Sequence, residues 1–121
     1  MKLNQIFISG IVMLILDFIY LSSIGNFFNT MIKSIQGSKI NLNIIGAIMC
    51  YILLILGINY FIIDKKKSIL DAFFLGILIY GVYESTNYAI IEKWNPIAVI
   101  IDTLWGGILF AITTKITYLF L

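Results

Sequence analysis

Three acidic residues lie inside long apolar stretches of this sequence, where charged side chains are uncommon. Asp17, Glu84 and Asp102 each belong to a stretch that is mainly apolar. At the centre of an isolated transmembrane helix, an acid costs about 2.5 to 3.5 kcal/mol on the insertion scale. Because a hydrogen-bond partner, a proton or a bound cation has to offset that cost, these three residues are the first candidates for a functional site.

Polar and aromatic residues accompany the acids at helical spacing. Tyr20 and Trp105 each follow one of the acids by three residues, so each ring lies one helical turn from a carboxyl group. Tyr80 and Asn87 flank Glu84 on one helical face, and tyrosine and asparagine can hydrogen-bond a carboxyl group in either protonation state. The predicted binding pocket comprises Asp17, Tyr20, Tyr80, Tyr83, Glu84, Asn87, Asp102, Trp105 and Gly106.

Four apolar stretches must position these residues, and each is long enough to cross a bilayer as a helix. They run over residues 6–24, 43–63, 68–91 and 96–119, against about 20 residues needed for the hydrocarbon core. Of the 121 residues, 61% are hydrophobic and 12% are charged, whereas a soluble domain carries about 25% charged residues. The sequence therefore predicts an all-α integral membrane bundle of four transmembrane helices, a single domain over residues 1–121 that is embedded in the lipid bilayer.

Lysine placement predicts the orientation of this bundle. The connections at residues 64–67 and 92–95 are short, so neighbouring helices must be antiparallel. Most of the lysines fall on the side that carries both termini, namely Lys2, Lys65, Lys66, Lys67 and Lys115. Because cytoplasmic loops are enriched in lysine and arginine, both termini are predicted to be cytoplasmic.

The first connection, over residues 25–42, is longer and has a pattern of its own. Its apolar residues recur on one helical face, namely Phe27, Phe28, Met31, Ile32 and Ile35. This spacing predicts a short interfacial helix over residues 26–36, lying along the outer membrane surface. The alternative is an irregular loop whose aromatic residues dip into the membrane.

The predicted topology gives the three acids a common depth. Each lies six or seven residues from the outer end of its span, which is roughly 10 Å at 1.5 Å per residue. Three helices can therefore bring carboxyl groups to one polar pocket in the outer half of the bundle. The alternative is a structural network in which protonated acids hold the helices together and bind nothing.

Several chemistries are excluded by composition. The chain has no histidine and one cysteine, Cys50, which we interpret as a buried packing residue. Zinc, haem and nucleotide cofactors are not expected, because the usual ligands and the phosphate-binding glycine loops are missing. The net charge of +2 is no basis for nucleic-acid binding. Mg²⁺ or Ca²⁺ on Asp17, Glu84 and Asp102 remains open, since both ions prefer oxygen ligands.

Three motifs in the chain resemble those of one protein family. Residues 16–21 (Leu-Asp-Phe-Ile-Tyr-Leu) resemble its Leu-Asp-x-x-Trp-Leu, and residues 80–89 resemble its Tyr-Gly-x-Tyr-Asp-x-Thr-Asn-x-Ala. Residues 102–106 match its Asp-x-x-Trp-Gly. The chain thus resembles the small predicted membrane proteins catalogued as domain of unknown function 2177.

Two departures from the family pattern preserve the chemical type of the residue. Tyr20 stands where the family usually has tryptophan, and Glu84 stands where it usually has aspartate. Trp94 follows the second motif at the expected distance. The resemblance implies a membrane protein with a shared site on these motifs, and it implies no particular activity.

The sequence is compatible with three classes of function. The first is a pocket that binds or passes a cation, a proton or an amphiphilic small molecule, since intramembrane acids commonly serve such roles. The second is a lipid-modifying enzyme that uses paired carboxyl groups, and the third is an accessory subunit of a larger membrane complex. Transport by so few helices would require a homo-oligomer. Whether the chain is an enzyme is left open by the residues alone.

Overall fold

The computed structural model describes residues 1–121 and contains four long helices and no strands. Helix α1 spans Leu3–Gln36. Helix α2 spans Ile44–Ile58 and continues into a π-helical turn at Asn59–Ile63. Helices α3 and α4 span Ile69–Ile90 and Pro96–Leu119. The predicted fold class, a four-helix all-α membrane bundle, is confirmed.

Side chains next to the predicted turns fix where three of the helices begin. The side-chain oxygen of Asn43 accepts a hydrogen bond from the Gly46 backbone amide at 3.1 Å, and the Ser68 hydroxyl accepts one from the Asp71 backbone amide at 3.0 Å. Asn95 caps α4 in the same manner and is followed by Pro96 in the first turn, where a missing amide hydrogen costs nothing. The starts of α2, α3 and α4 therefore follow from local sequence.

Each of the four helical segments is long and apolar enough to cross a membrane. Large apolar side chains cover the outside of the bundle, and Phe18, Ile45 and Ile90 are each more than two-thirds exposed. In water this surface would be an aggregation hazard, whereas hydrocarbon is a favourable environment for it. The exterior of the molecule is thus matched to lipid.

Both termini and the connection between α2 and α3 lie at one end of the bundle, which we call the terminal end. The amino group of Met1 pairs with Asp64 at 3.4 Å, and the Tyr118 hydroxyl donates to the Lys67 carbonyl at 2.7 Å. The other two connections lie at the opposite end, which we call the loop end, where Lys93 donates to the Ser34 carbonyl at 3.1 Å. Which of the two ends is cytoplasmic stays a prediction.

Helices α3 and α4 form the closest pair in the bundle, and glycines permit their approach. A Cβ atom on Gly76 would collide with the backbone carbonyl of Gly106, and one on Gly106 would collide with the ring of Tyr80. A Cβ atom on Gly107 would lie 2.7 Å from a ring carbon of Phe73. Helix α2 packs more loosely, with few contacts to α3. The bundle is therefore tight on one side and open on the other.

The short interfacial helix is not confirmed as a separate element. Residues 26–36 are helical, but they continue α1 without a break. Gly25 alone costs a helix about 1 kcal/mol, which is too little to end it. The apolar face of this extension packs on the connection between α3 and α4, where Met31, Trp94 and Ala98 are buried. The apolar spacing of residues 26–36 is therefore explained by burial against protein. Spacing alone could not distinguish this from burial in lipid.

Candidate functional site

A cavity of about 610 Å³ lies between α1, α2 and α3, with one residue contributed by α4. Its lining is mainly apolar and aromatic and includes two carboxyl groups. Since α2 and α3 have few contacts, the cavity is not sealed between them. The lining residues are Asp17, Tyr20, Leu21, Leu42, Ala47, Cys50, Tyr51, Leu54, Ile79, Tyr80, Tyr83 and Asp102.

Asp17 is held by two neutral donors from two other helices. The indole nitrogen of Trp105 donates to Oδ1 at 2.9 Å, and the Tyr51 hydroxyl donates to Oδ2. The side chain is 7% exposed. Because both oxygens act as acceptors, this environment suits an ionised carboxylate held in place without a cationic partner.

Asp102, an acid on α4, accepts a hydrogen bond from a donor on α1, whereas Asp17 on α1 accepts one from α4. The Tyr20 hydroxyl donates to Oδ1 of Asp102 at 3.0 Å. The ring of Tyr20 also stacks on Trp105, with centroids 4.5 Å apart and planes inclined by 2°. Each helix therefore supplies one acid and one aromatic donor, and the two hydrogen bonds join α1 to α4 at adjacent turns.

Glu84 lies behind the cavity and not on its surface, since it is absent from the lining and only 1% exposed. The indole nitrogen of Trp94 donates to Oε1 at 2.9 Å, while Oε2 has no donor. Glu84 is thus tied to the connection between α3 and α4 and not to a side chain on the cavity lining.

The remaining predicted site residues lie around the cavity but do not line it. Trp105 stacks on Tyr20, which lines the cavity, and Gly106 makes room for the ring of Tyr80. Asn87 lies one helical turn after Tyr83 on α3. The nine predicted residues thus divide into five on the lining and four that surround or support it.

The three acids do not form a cluster able to hold a metal ion. No group of three or more acidic, histidine or cysteine residues has the required proximity anywhere in the chain. The Mg²⁺ or Ca²⁺ site on Asp17, Glu84 and Asp102 that the sequence left open is therefore unsupported. Glu84 lies behind the lining, and both oxygens of Asp17 already have donors.

Sequence reasoning missed three contributors to the site. Tyr51 was not singled out, because the second apolar stretch has no acid or polar periodicity to draw attention to it. Cys50 was interpreted as a buried packing residue, which is wrong: it is exposed and lines the cavity, because α2 packs loosely. Trp94 had a signal, its place in the family pattern, but nothing in its spacing linked it to Glu84.

No lysine neutralises the acids of this site. The one ion pair in the chain joins Met1 to Asp64 at the terminal end. All eight lysines lie near the two ends of the bundle, outside the layer that contains the acids. The cavity therefore combines apolar walls with uncompensated carboxyl groups.

Four helices that can each cross a bilayer define a multi-pass membrane protein. The chain belongs to the predicted membrane protein family DUF2177, whose model matches residues 3–119. No curated protein matches the chain. No solved structure matches it either.

Proposed function

We propose that the cavity binds the cationic head group of an amphiphilic molecule. The observation that carries this proposal is the placement of Asp17 and Asp102 on an otherwise apolar cavity, with no lysine beside them. Such a site attracts a positive group that can also bury a hydrocarbon chain. The intramembrane position of the acids suits a ligand that already partitions into the bilayer.

Electrostatics favours a cation over a neutral or anionic ligand. Asp17 accepts a hydrogen bond at each oxygen, and Oε2 of Glu84, behind the cavity, has no donor. The layer contains three carboxyl groups and no basic side chain, so any ionisation there leaves a net negative charge. In a medium of low dielectric constant, a bound ammonium group offsets this charge far more than it would in water.

The tyrosines of the lining add a second attraction for a cation. Tyr20, Tyr51, Tyr80 and Tyr83 bring four aromatic rings to one cavity. The face of an aromatic ring attracts alkylammonium groups, by about 0.5 to 2 kcal/mol per contact. Carboxylates and aromatic rings together are the surroundings in which quaternary ammonium ligands are typically bound.

The route of entry follows from the loose packing of α2. Helices α2 and α3 have few contacts, and the cavity lies between them. Apolar residues at this side, including Leu42, Leu54 and Ile79, suit a hydrocarbon tail. A ligand dissolved in the bilayer would reach the acids by lateral diffusion, without crossing a polar gate.

Binding of dodecyltrimethylammonium to the protein in phosphatidylcholine nanodiscs tests the proposal. Trp105 contacts Asp17 and Tyr20, so its fluorescence reports occupancy. We expect saturable binding of this cation and none of dodecyl sulfate or dodecyl maltoside, which have the same chain. Equal binding of the three probes would contradict the proposal.

Variants that remove the charge of one cavity acid, compared with the wild type, test whether the acids bind the cation. Asp17→Asn and Asp102→Asn should each weaken binding at least tenfold, about 1.4 kcal/mol, because the amide keeps the shape and removes the charge. Asp71→Asn is the control, since Asp71 is exposed in the first turn of α3, near the terminal end. Unchanged affinity in both cavity variants would return the acids to a structural role.

A further inference from the structure

A second polar cluster lies nearer the terminal end, and the register of α1 on α4 locates it. Asp17 contacts Trp105, and one turn away Tyr20 contacts Asp102. In this antiparallel pairing, four residues back along α1 correspond to four residues forward along α4. Met13 therefore stands at the level of Leu109.

One further turn in the same direction brings Ser9 to the level of Thr113. Both residues are 0% exposed, as are Met13 and Leu109 above them. Ser9 lies eight residues before Asp17 on α1, and Thr113 lies eight residues after Trp105 on α4. At this spacing, each falls on the same broad face of its helix as the residue it is compared with. Polar residues thus recur on this face beneath an apolar layer.

Asn59 joins this cluster from the π-helical turn that ends α2. Its Nδ2 donates to the Ser9 hydroxyl at 2.9 Å and to the Ile55 carbonyl at 2.8 Å. Its Oδ1 is buried and has no donor, and the Thr113 hydroxyl is buried without a partner. Because Ser9 contacts Asn59 and stands opposite Thr113, the two unpaired groups lie at one level.

Unpaired polar groups in a dry interior are costly, and folded proteins rarely leave them. An unsatisfied buried acceptor loses its hydration without compensation, and native structures satisfy almost all such atoms with protein groups or ordered water. Water molecules buried in proteins typically bridge groups of this kind. The cluster is neutral, because Ser9, Asn59 and Thr113 have no charge, so it is better suited to water than to a cation.

We propose that Asn59 and Thr113 hold a buried water molecule between them. The water donates to Asn59 Oδ1 and accepts a hydrogen bond from the Thr113 hydroxyl, while Ser9 fixes the amide of Asn59. Met13, Ile58 and Leu109, all fully buried, form an apolar layer between this site and the acids. The water site is therefore separate from the proposed ligand cavity and does not depend on it.

A direct measurement uses the protein without any substitution. Asn59 is the one fully buried asparagine in the chain, so its side-chain amide should be resolved in protein labelled with ¹⁵N-asparagine in detergent micelles. We expect a cross-peak between this amide and water that is lost in Thr113→Val. A wild-type amide with no such cross-peak would overturn the proposal.

A double-mutant cycle measures the same bridge through stability. Thr113→Val keeps the volume and removes the hydroxyl, and it should lower the melting temperature by about 4 °C, a shift typical of one lost polar interaction in a chain of this size. Adding Asn59→Leu should then lower the melting temperature less than it does in the wild type, because the bridge is already broken. If no water lies between Asn59 and Thr113, Thr113→Val should leave the melting temperature unchanged or raise it, which would contradict the proposal.

Thr114 provides a matched control for the cycle. Its hydroxyl is also buried and unpaired, but it lies on the side of α4 that continues from Gly106 and Phe110 and faces α3. The effects of Thr114→Val and Asn59→Leu should therefore add. If Thr113→Val fails to fold, Thr113→Ser keeps the hydroxyl and should keep the water cross-peak; loss of the cross-peak in a folded Thr113→Ser protein would count against the site.

Discussion

The ring of Tyr20 lies parallel to the indole of Trp105, with centroids 4.5 Å apart. The Tyr20 hydroxyl also donates a hydrogen bond to Asp102, and the Trp105 indole N–H donates one to Asp17. Helices α1 and α4 therefore each donate one hydrogen bond to an acid on the other, from two residues whose rings stack. The acids of the cavity wall are held by the same two residues that join α1 to α4. Substitutions in this pair should change the position of the acids as well as helix association.

Tyr20→Phe should separate these two roles. The ring can still stack on Trp105, but Asp102 loses its hydroxyl donor, which should cost about 0.5 to 1.5 kcal/mol, the usual net contribution of one hydrogen bond. Unfolding by sodium dodecyl sulfate, followed by circular dichroism, measures this loss. Tyr88→Phe is the control because Tyr88 is exposed. Equal stability of the two variants would show that the bond to Asp102 contributes nothing.

Gly106→Ala should disrupt the pairing of α3 and α4. The added methyl group meets the ring of Tyr80, and Tyr80 also lines the cavity. Overpacking of a close contact typically costs about 1 to 3 kcal/mol. Thermal unfolding in micelles should show a lower midpoint for this variant.

Gly57→Ala is the matched control for the glycine substitution. An added Cβ atom at Gly57 meets nothing within 4 Å, and alanine is favoured over glycine inside a helix by roughly 1 kcal/mol. This variant should unfold at the same temperature as the wild type or at a higher one. A stable Gly106→Ala protein would contradict the close approach of the two helices.

Cys50 should react with a lipid-soluble maleimide in the folded protein. It is exposed on the cavity lining, and the chain has no other cysteine. Labelling is measured by mass spectrometry, and Cys50→Ser should abolish it. Dodecyltrimethylammonium should slow the reaction if it occupies the cavity. A thiol that reacts only after denaturation would mean that α2 packs more closely than described.

The orientation of the bundle can be tested with reporter fusions. A reporter placed after Lys67 should be cytoplasmic, and one placed after Lys39 should be on the other side, because the terminal end has the larger number of lysines. Alkaline phosphatase and green fluorescent protein fusions distinguish the two compartments. An exported reporter after Lys67 would reverse the orientation but leave the geometry of the cavity unchanged.

Helix number and the starts of α2, α3 and α4 could be predicted because they depend on local signals. Apolar length, the caps at Ser68 and Asn95 and the proline after Asn95 are all visible in the sequence. The continuation of α1 could not be predicted, since an apolar face packs equally well on lipid or on protein. Its partner, the connection containing Trp94, is distant in sequence.

The candidate site could be predicted only where residues had unusual chemistry for their surroundings. Asp17 and Asp102 were identified by their cost in an apolar stretch, and both line the cavity. Glu84 was selected by the same argument, but its position behind the cavity depends on how α3 is rotated against α4. Tyr51 and Cys50 belong to a stretch without such outliers, so only the packing of α2 reveals them.

The length of α1 has a mechanical consequence. Its 34 residues make a rod of about 51 Å at 1.5 Å per residue, well beyond the ~30 Å hydrocarbon core. The turns of α1 at the loop end pack on the connection that contains Trp94, whose indole nitrogen is the only donor to Glu84. A load applied to this protruding segment would therefore be transmitted, through one side chain, to a carboxyl group deep inside the bundle.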